Sequence, residues 1–161
     1  MADTVNPKRP HWQNPAHLLA FWFGAGASPW APGTVGTLAA IPLYLLVEPL
    51  SAGVYLLLVA GLFLAGIWIC GATARDLGVH DHPGIVFDEV VGYLVTMIQA
   101  PHGWAWVVAG FVLFRLFDIL KPWPIGPVDR RVGGGLGIML DDVLAGGLAL
   151  VCVQVAGRIV M

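Results

Sequence analysis

From Pro49 to Ala74 no residue carries a charge, and this run is long enough to cross a hydrocarbon core of about 30 Å as a single helix. It is the clearest membrane-crossing segment in the chain. The composition agrees with it: 58% of residues are hydrophobic, 11% are charged, and the mean hydropathy is +0.80, far from the average of soluble domains.

The other apolar runs are less regular. Val90 to Phe114 is uncharged, but Pro101-His102-Gly103 interrupts it, so it reads as two helices joined by a tight turn, about 85–100 and about 104–120. Val143 to Gly157 forms a last helix, and Val35 to Val47, which carries Pro42, a short or kinked one. His17 to Gly26 is broken by glycines and lacks a clean cleavage site, so it reads as an interfacial or re-entrant helix flanked by Trp12, Trp22 and Trp30, not as a signal peptide. The expected fold is therefore all-α: a polytopic membrane bundle of about five inserted helices plus an N-terminal interfacial helix. Residues 1–161 make one domain, with 1–13 a flexible lead. Cys70 and Cys152 lie in apolar helices at no metal-ligand spacing, and read as core-filling thiols.

Lys8, Arg9, Arg75, Lys121, Arg130 and Arg131 fall on one side of this threading and only Arg158 on the other, which assigns the crowded side to the cytoplasm. The acids crowd there too, among them Asp76, Asp81 and Asp129, leaving Glu48 alone at the far side. A net charge of −2 conceals a face of mixed sign at one end of an oily bundle, without the basic arm that nucleic acid demands.

Two acidic pairs stand out, Asp88-Glu89 in "IVFDEVVG" and Asp141-Asp142 in "IMLDDVLAGG". Acids at a helix start satisfy free N–H groups and suit the helix dipole, but one suffices for that. Each pair follows a hydrophobic triplet, which puts it a turn inside apolar sequence, where a charge costs a few kcal/mol. Gly92 and Gly146, just beyond, let helix backbones approach. In "FRLFDILKPW", Arg115 and Asp118 share a helix face at i, i+3, either as an ion pair that permits burial of both or, with Lys121, as cations placed to meet a phosphate. His80 and His82 in "VHDHPG" lack a third ligand for zinc, and are placed to hydrogen-bond the acids beyond or to act as general acid or base. "GAGASPWAPGTVGT", with Thr34 and Thr37, is either a capped helix start or a loop whose N–H and hydroxyl groups touch a phosphate. "GGGLG" (133–137) reads as a hinge or a close-packing loop.

Carboxylates converging at headgroup depth form an all-oxygen site that suits a hard divalent ion such as Mg²⁺ better than zinc or copper. With Arg115, Lys121 and Arg130 nearby, the chemistry that needs both is phosphoryl transfer or phosphate-ester hydrolysis.

The chain resembles the phosphatidylglycerophosphatase A family through "NPAHLLAFWFGAG", "SPWAPGTVGTLAAIP", "ARDLGVHDHPGIVFDEVVG", "FRLFDILKPWPI" and "GGLGIMLDDVLAG". The resemblance implies a Mg²⁺-dependent lipid phosphatase of the bacterial inner membrane, multi-pass, acting on its cytoplasmic side and converting phosphatidylglycerol phosphate to phosphatidylglycerol. On that reading the metal is held by Asp88, Glu89, Asp141 and Asp142, with Asp118 joining. Arg115, Lys121, Arg130, Thr34 and Thr37 hold phosphate, and His80 or His82 protonates the leaving oxygen. Neither a D-x-D-x-T nucleophile nor a C-x₅-R loop is present, which favours attack by water over an aspartyl-phosphate through Asp88 or Asp142. The rival classes are a small ion or anion transporter, a non-catalytic membrane subunit with buried ion pairs, and a CDP-alcohol phosphotransferase, whose motif is missing. Oligomeric state is not legible in the sequence.

Overall fold

A computed structural model describes residues 9–80 and 82–160. The expectations for residues 1–8, including Lys8, and for Asp81 fall outside the described residues. Every regular element among the described residues is helical: α1 (Pro15–Ala20), a 3₁₀ segment (Trp22–Ala27), α2 (Pro32–Val47), α3 (Ala52–Leu77), α4 (Phe87–Thr96), α5 (Trp104–Leu120), α6 (Ile125–Arg131) and α7 (Gly134–Val160).

The architecture is organised around α4. All of its residues except the partly covered Glu89 are buried, and it packs on α7, α2, α3 and α5. The expected helix over 85–100 is thus only 10 residues long. At 1.5 Å per residue it rises about 15 Å, half the thickness of a hydrocarbon core. It is short because the chain leaves the helix at Met97 and passes through Gln99, which has a positive φ of 50°, ahead of the proline turn. Among the described residues two helices, α3 with 26 residues and α7 with 27, are long and apolar enough to cross a membrane. α2 with 16 residues and α5 with 17 are shorter.

Close backbone approach makes this packing possible. A Cβ on Gly146 would collide with the carbonyl oxygen of Gly92, so α4 and α7 meet main chain to main chain. The buried hydroxyls in this core are tied to backbone carbonyls: Tyr55 donates to Leu94 O at 2.8 Å and Tyr93 to Val107 O at 3.1 Å. α7 begins nine residues earlier than expected, at Gly134, because the "GGGLG" stretch forms its first turn and packs closely on α3, where a Cβ on Gly135 would meet Ile67 O. Of the two readings of that stretch, close packing is the one observed. Cys70 is fully buried, its sulfur 3.7 Å from that of Met139, and neither cysteine is in a disulfide.

The N-terminal region lies against the bundle end where α3 finishes and α4 starts. His17, wholly buried, accepts the N–H of His11 at Nδ1 and stands 3.1 Å from Asp76 of α3 through Nε2. The N–H of Val86 then donates to Ala20 O, tying α1 to the approach of α4. At the opposite end Glu48 pairs with His102 at 2.7 Å.

Candidate active site

The starts of α2, α4 and α7 and the end of α5 meet at one pole of the bundle, and the carboxylates collect there. Asp88 and Glu89 occupy the first turn of α4, so their backbone N–H groups face no carbonyl one turn back and the helix dipole favours negative charge. Asp142 comes from α7 at a different kind of position. It lies about two turns inside that helix, where neither capping nor the dipole accounts for an acid. Ligand oxygens of Asp88, Glu89 and Asp142 all lie within 4.8 Å of one another. Asp88 and Asp142 are buried, and the Oε2 oxygen of Glu89 is buried without a hydrogen-bond partner. Crowded carboxylates with an orphaned buried oxygen are a poor resting arrangement for protein alone. The all-oxygen donor set fits a hard divalent cation.

A guanidinium closes one side. Arg115 of α5 bonds Asp118 one turn on through Nη1, which also stands 3.8 Å from Glu89 Oε1. Its Nε is buried with no partner, so the side chain is held by Asp118 with donor capacity remaining. Asp118 also lies close enough to Asp142 to interact with it electrostatically.

The start of α2 closes another side. A Cβ on Gly33 would collide with Glu89 Oε1 and press on both Arg115 terminal nitrogens. The first turn of α2 therefore lies beside the carboxylate and the guanidinium, and its N–H groups, like those of any first helical turn, have no carbonyl one turn back. Thr34 is half-buried in this turn, whereas Thr37 turns its hydroxyl onto its own helix, bonding Gly33 O at 2.8 Å. No side chain caps α2, whose N-cap is Ala31 in the left-handed region, so the expected alternative of a Ser/Thr-capped start does not describe it.

Asp141 and Lys121 make a second, adjoining group. The Lys121 ammonium stands 2.8 Å from both Asp129 Oδ1 of α6 and Asp141 Oδ2. Burial alone would lower its pKa, but the hydrogen bonds and charges of Asp129 and Asp141 outweigh that and raise it. Asp141 is thus turned away from the Asp88-Glu89-Asp142 oxygens. The two histidines also separate. His80 lines a cavity of about 220 Å³ together with Asp129, Asp141, Val132, Gly137 and Ile138. His82 accepts the N–H of Gly84 at Nδ1 and packs against Phe21, with ring centroids 5.4 Å apart. Arg130 is exposed on α6, its guanidinium lying back toward Gly126.

Sequence reasoning gave no site role to Gly33, and named Asp129 only among the acids of the crowded face. Gly33 had a weak signal, since it lies in the small-residue stretch read as a phosphate loop. Asp129 had none, because its bond to Lys121 forms across the proline-interrupted turn between α5 and α6.

The family described as Phosphatidylglycerophosphatase A matches residues 18–157. Among curated proteins, the chain is 50% identical over 143 residues to one named Phosphatidylglycerophosphatase A from Escherichia coli (strain K12), covering 88% of this chain and 83% of that protein. A protein of the same name from Haemophilus influenzae is 46% identical over 142 residues, covering 87% of each. A third, named Putative phosphatidylinositol-3-phosphatase, from Bacteroides thetaiotaomicron, is 39% identical over 148 residues, covering 86% of this chain and 91% of that protein. No solved structure matches the chain.

Proposed function

The chain belongs to the phosphatidylglycerophosphatase A family, and on that premise we propose that it hydrolyses the terminal phosphate of phosphatidylglycerol phosphate at a membrane surface. The observation that carries the proposal is the convergence of Asp88, Glu89 and Asp142 beside Arg115 and the open first turn of α2.

Membrane embedding is supported by what the bundle leaves uncovered. Leu57, Leu64 and Trp68 of α3, Val108, Val112 and Ile119 of α5, and Val151, Val155 and Ile159 of α7 are exposed large apolar residues. A surface of this kind asks for lipid. Trp104 opens α5 and Trp123 lies just beyond its end; both are exposed, as interfacial anchors would be, and α5 itself rises about 25 Å. In this reading α2, α3, α5 and α7 enclose α4 within the inner membrane of a bacterium. The carboxylate pole lies on the cytoplasmic side, where Arg75, Lys121, Arg130 and Arg131 also fall. Carboxylates confined to one pole favour interfacial chemistry over a transport path, which would place them along the bundle.

In the proposed reaction Asp88, Glu89 and Asp142 would hold Mg²⁺, which when bound polarises a phosphoryl oxygen and lowers the pKa of water. Arg115, aligned by Asp118, offers its fork to the non-bridging oxygens, and the Gly33 and Thr34 N–H groups share their charge. A water oxygen forms the new bond to phosphorus as the bond to the glycerol oxygen breaks. His80 gives that oxygen a proton and is reprotonated by the one that the attacking water releases, leaving inorganic phosphate and phosphatidylglycerol. His82, bonded to Gly84 and packed on Phe21, shapes the loop that leads into α4. The name of the Bacteroides relative points to another lipid phosphomonoester, so the phosphate end of the site is the part such proteins would share.

Purified protein incubated with phosphatidylglycerol phosphate should release phosphate in Mg²⁺ and stop on chelation. No release in Mg²⁺ would favour the rival reading of a non-catalytic subunit.

A further inference from the structure

Trp22 and Phe23 both hold left-handed backbone, with φ of 43° and 54°, a conformation that Asn or Gly takes at less cost than an aromatic residue. Neighbouring contacts account for the first of the two. Trp22 turns inward, its indole N–H donating to Ala39 O of α2 at 3.1 Å and its ring meeting that of Phe87 at a centroid distance of 5.9 Å. Phe23 faces outward and is 65% exposed. A strained turn that presents a phenyl ring to its surroundings points to something that receives the ring. We propose that the 3₁₀ segment is a re-entrant turn whose tip, Phe23, sits among the acyl chains of the leaflet at whose surface the carboxylate pole lies, and holds that pole at phosphate depth. The proposal rests on the phosphatase reading above.

Three observations select acyl chains as the occupant. The first is depth. The carboxylates meet α2 at Gly33, whereas Trp22 is tied to Ala39, seven residues past Pro32 and about 10 Å along the helix. Ala20 O, just ahead of the turn, takes the N–H of Val86, which packs on Gly36 one turn into α2. From that level the chain returns to the pole at Trp30, two residues before Pro32 and 82% exposed. An indole suits headgroup depth and a phenyl ring the chains beneath it.

The second is the backbone of the turn, which closes on itself as hydrocarbon requires. The N–H groups of Gly24 and Gly26 both donate to Phe21 O, at 3.1 Å and 3.0 Å, and that of Ser28 to Ala25 O at 3.2 Å. The third is charge. No Asp, Glu, Lys or Arg lies between Arg9 and Glu48, and the exposed Leu38, Leu45 and Leu46 continue the apolar surface along α2. A face turned to water or to a soluble partner would carry charged groups at its rim. Because the turn is pinned to α2 through Trp22 and to the approach of α4 through Ala20, anchoring its tip sets the height of two walls of the site. Phe23 is thus a positioning residue that touches no reacting atom.

The ranking of two variants separates an anchor from a requirement of folding. Phe23→Asn relieves the left-handed backbone and Phe23→Leu does not, so a turn needed only for the fold favours Asn, while an anchor in lipid favours Leu. In nanodiscs holding phosphatidylglycerol phosphate with Mg²⁺, Phe23→Leu should stay within about threefold of wild type and Phe23→Asn should lose about tenfold in kcat/KM. On a short-chain form of the same lipid, added as monomers from solution to the same nanodiscs, Phe23→Asn should stay within about twofold. Equal loss on both substrates, or no loss on the bilayer lipid, overturns the positioning role.

A nitroxide on Phe23→Cys, in a Cys152→Ser background with Cys70 buried, reads depth without catalysis. It should be relaxed by dissolved O₂ and shielded from a water-soluble Ni²⁺ chelate. Access to the chelate puts the turn in water, and shielding from both puts a protein surface such as a second copy over it; either overturns the proposal. A nitroxide in the chains, in a wild-type background that releases phosphate from neither substrate, supports the re-entrant turn and overturns the phosphatase reading alone.

Discussion

Gly33 and Glu89, on different helices, are in such close contact that the glycine has no room for a methyl group: a Cβ there would collide with Glu89 Oε1 and come within 3.1 Å and 3.2 Å of the Arg115 terminal nitrogens. The obstructed atoms are ends of flexible side chains, so a larger residue displaces site groups and not the fold. Gly33→Ala should lower phosphate release about tenfold or more while the melting temperature stays within a few degrees of wild type. Unchanged turnover would detach the start of α2 from the chemistry.

Gly146 offers the opposite case, because its neighbour is the backbone oxygen of Gly92 and cannot swing aside. Gly146→Ala should separate α7 from α4, destabilise by about 1–3 kcal/mol or more, and appear as aggregation or a lowered melting temperature in detergent. A normal melting curve would contradict the close approach of the two helices.

Asp142 has no capping role to fall back on, being deep in α7. Asp142→Asn should reduce phosphate release to background, weaken Mg²⁺ binding by calorimetry at least tenfold, and leave the protein in the membrane fraction. Near-normal turnover removes it from the metal shell.

Arg115→Lys keeps the charge but loses the planar fork that bonds Asp118 while reaching toward Glu89. A loss of about 100-fold in kcat/KM is expected at saturating Mg²⁺. A change under threefold would mean that charge alone is used.

Lys121 carries a raised pKa in the folded protein, so its pairing with Asp129 and Asp141 contributes fully below the ordinary value of 10.5 and fades only as pH rises through the higher folded value. Deprotonation of Lys121 should therefore remove no stability between pH 6 and 9. Lys121→Met should lower the melting temperature throughout that window, leaving two acids without their cation. If the variant matched wild type there, the bridge would be incidental.

Much of this molecule is local and was legible residue by residue. The uncharged 49–74 run gave α3 within a few residues, and the i, i+3 spacing of Arg115 and Asp118 gave their ion pair, because both depend only on helical periodicity. The length of α4 was not legible. An apolar stretch that faces lipid and one buried by four neighbours look alike in composition, and only the packing shows that 87–96 is a core helix.

The sequence by itself determined that the chain is helical and oily, with acids and cations at one pole, since hydropathy, glycine and proline positions and side-chain spacing act through nearest neighbours. Tertiary structure alone decided that Asp142 meets Asp88 and Glu89 while Asp141 turns to Lys121, that Asp129 is the second partner of that lysine, and that Gly33 abuts Glu89. Those outcomes depend on how α2, α6 and α7 are rotated and seated against α4 and α5. That orientation is set by the sum of many side-chain contacts between segments far apart in the chain, and no single stretch of residues encodes it.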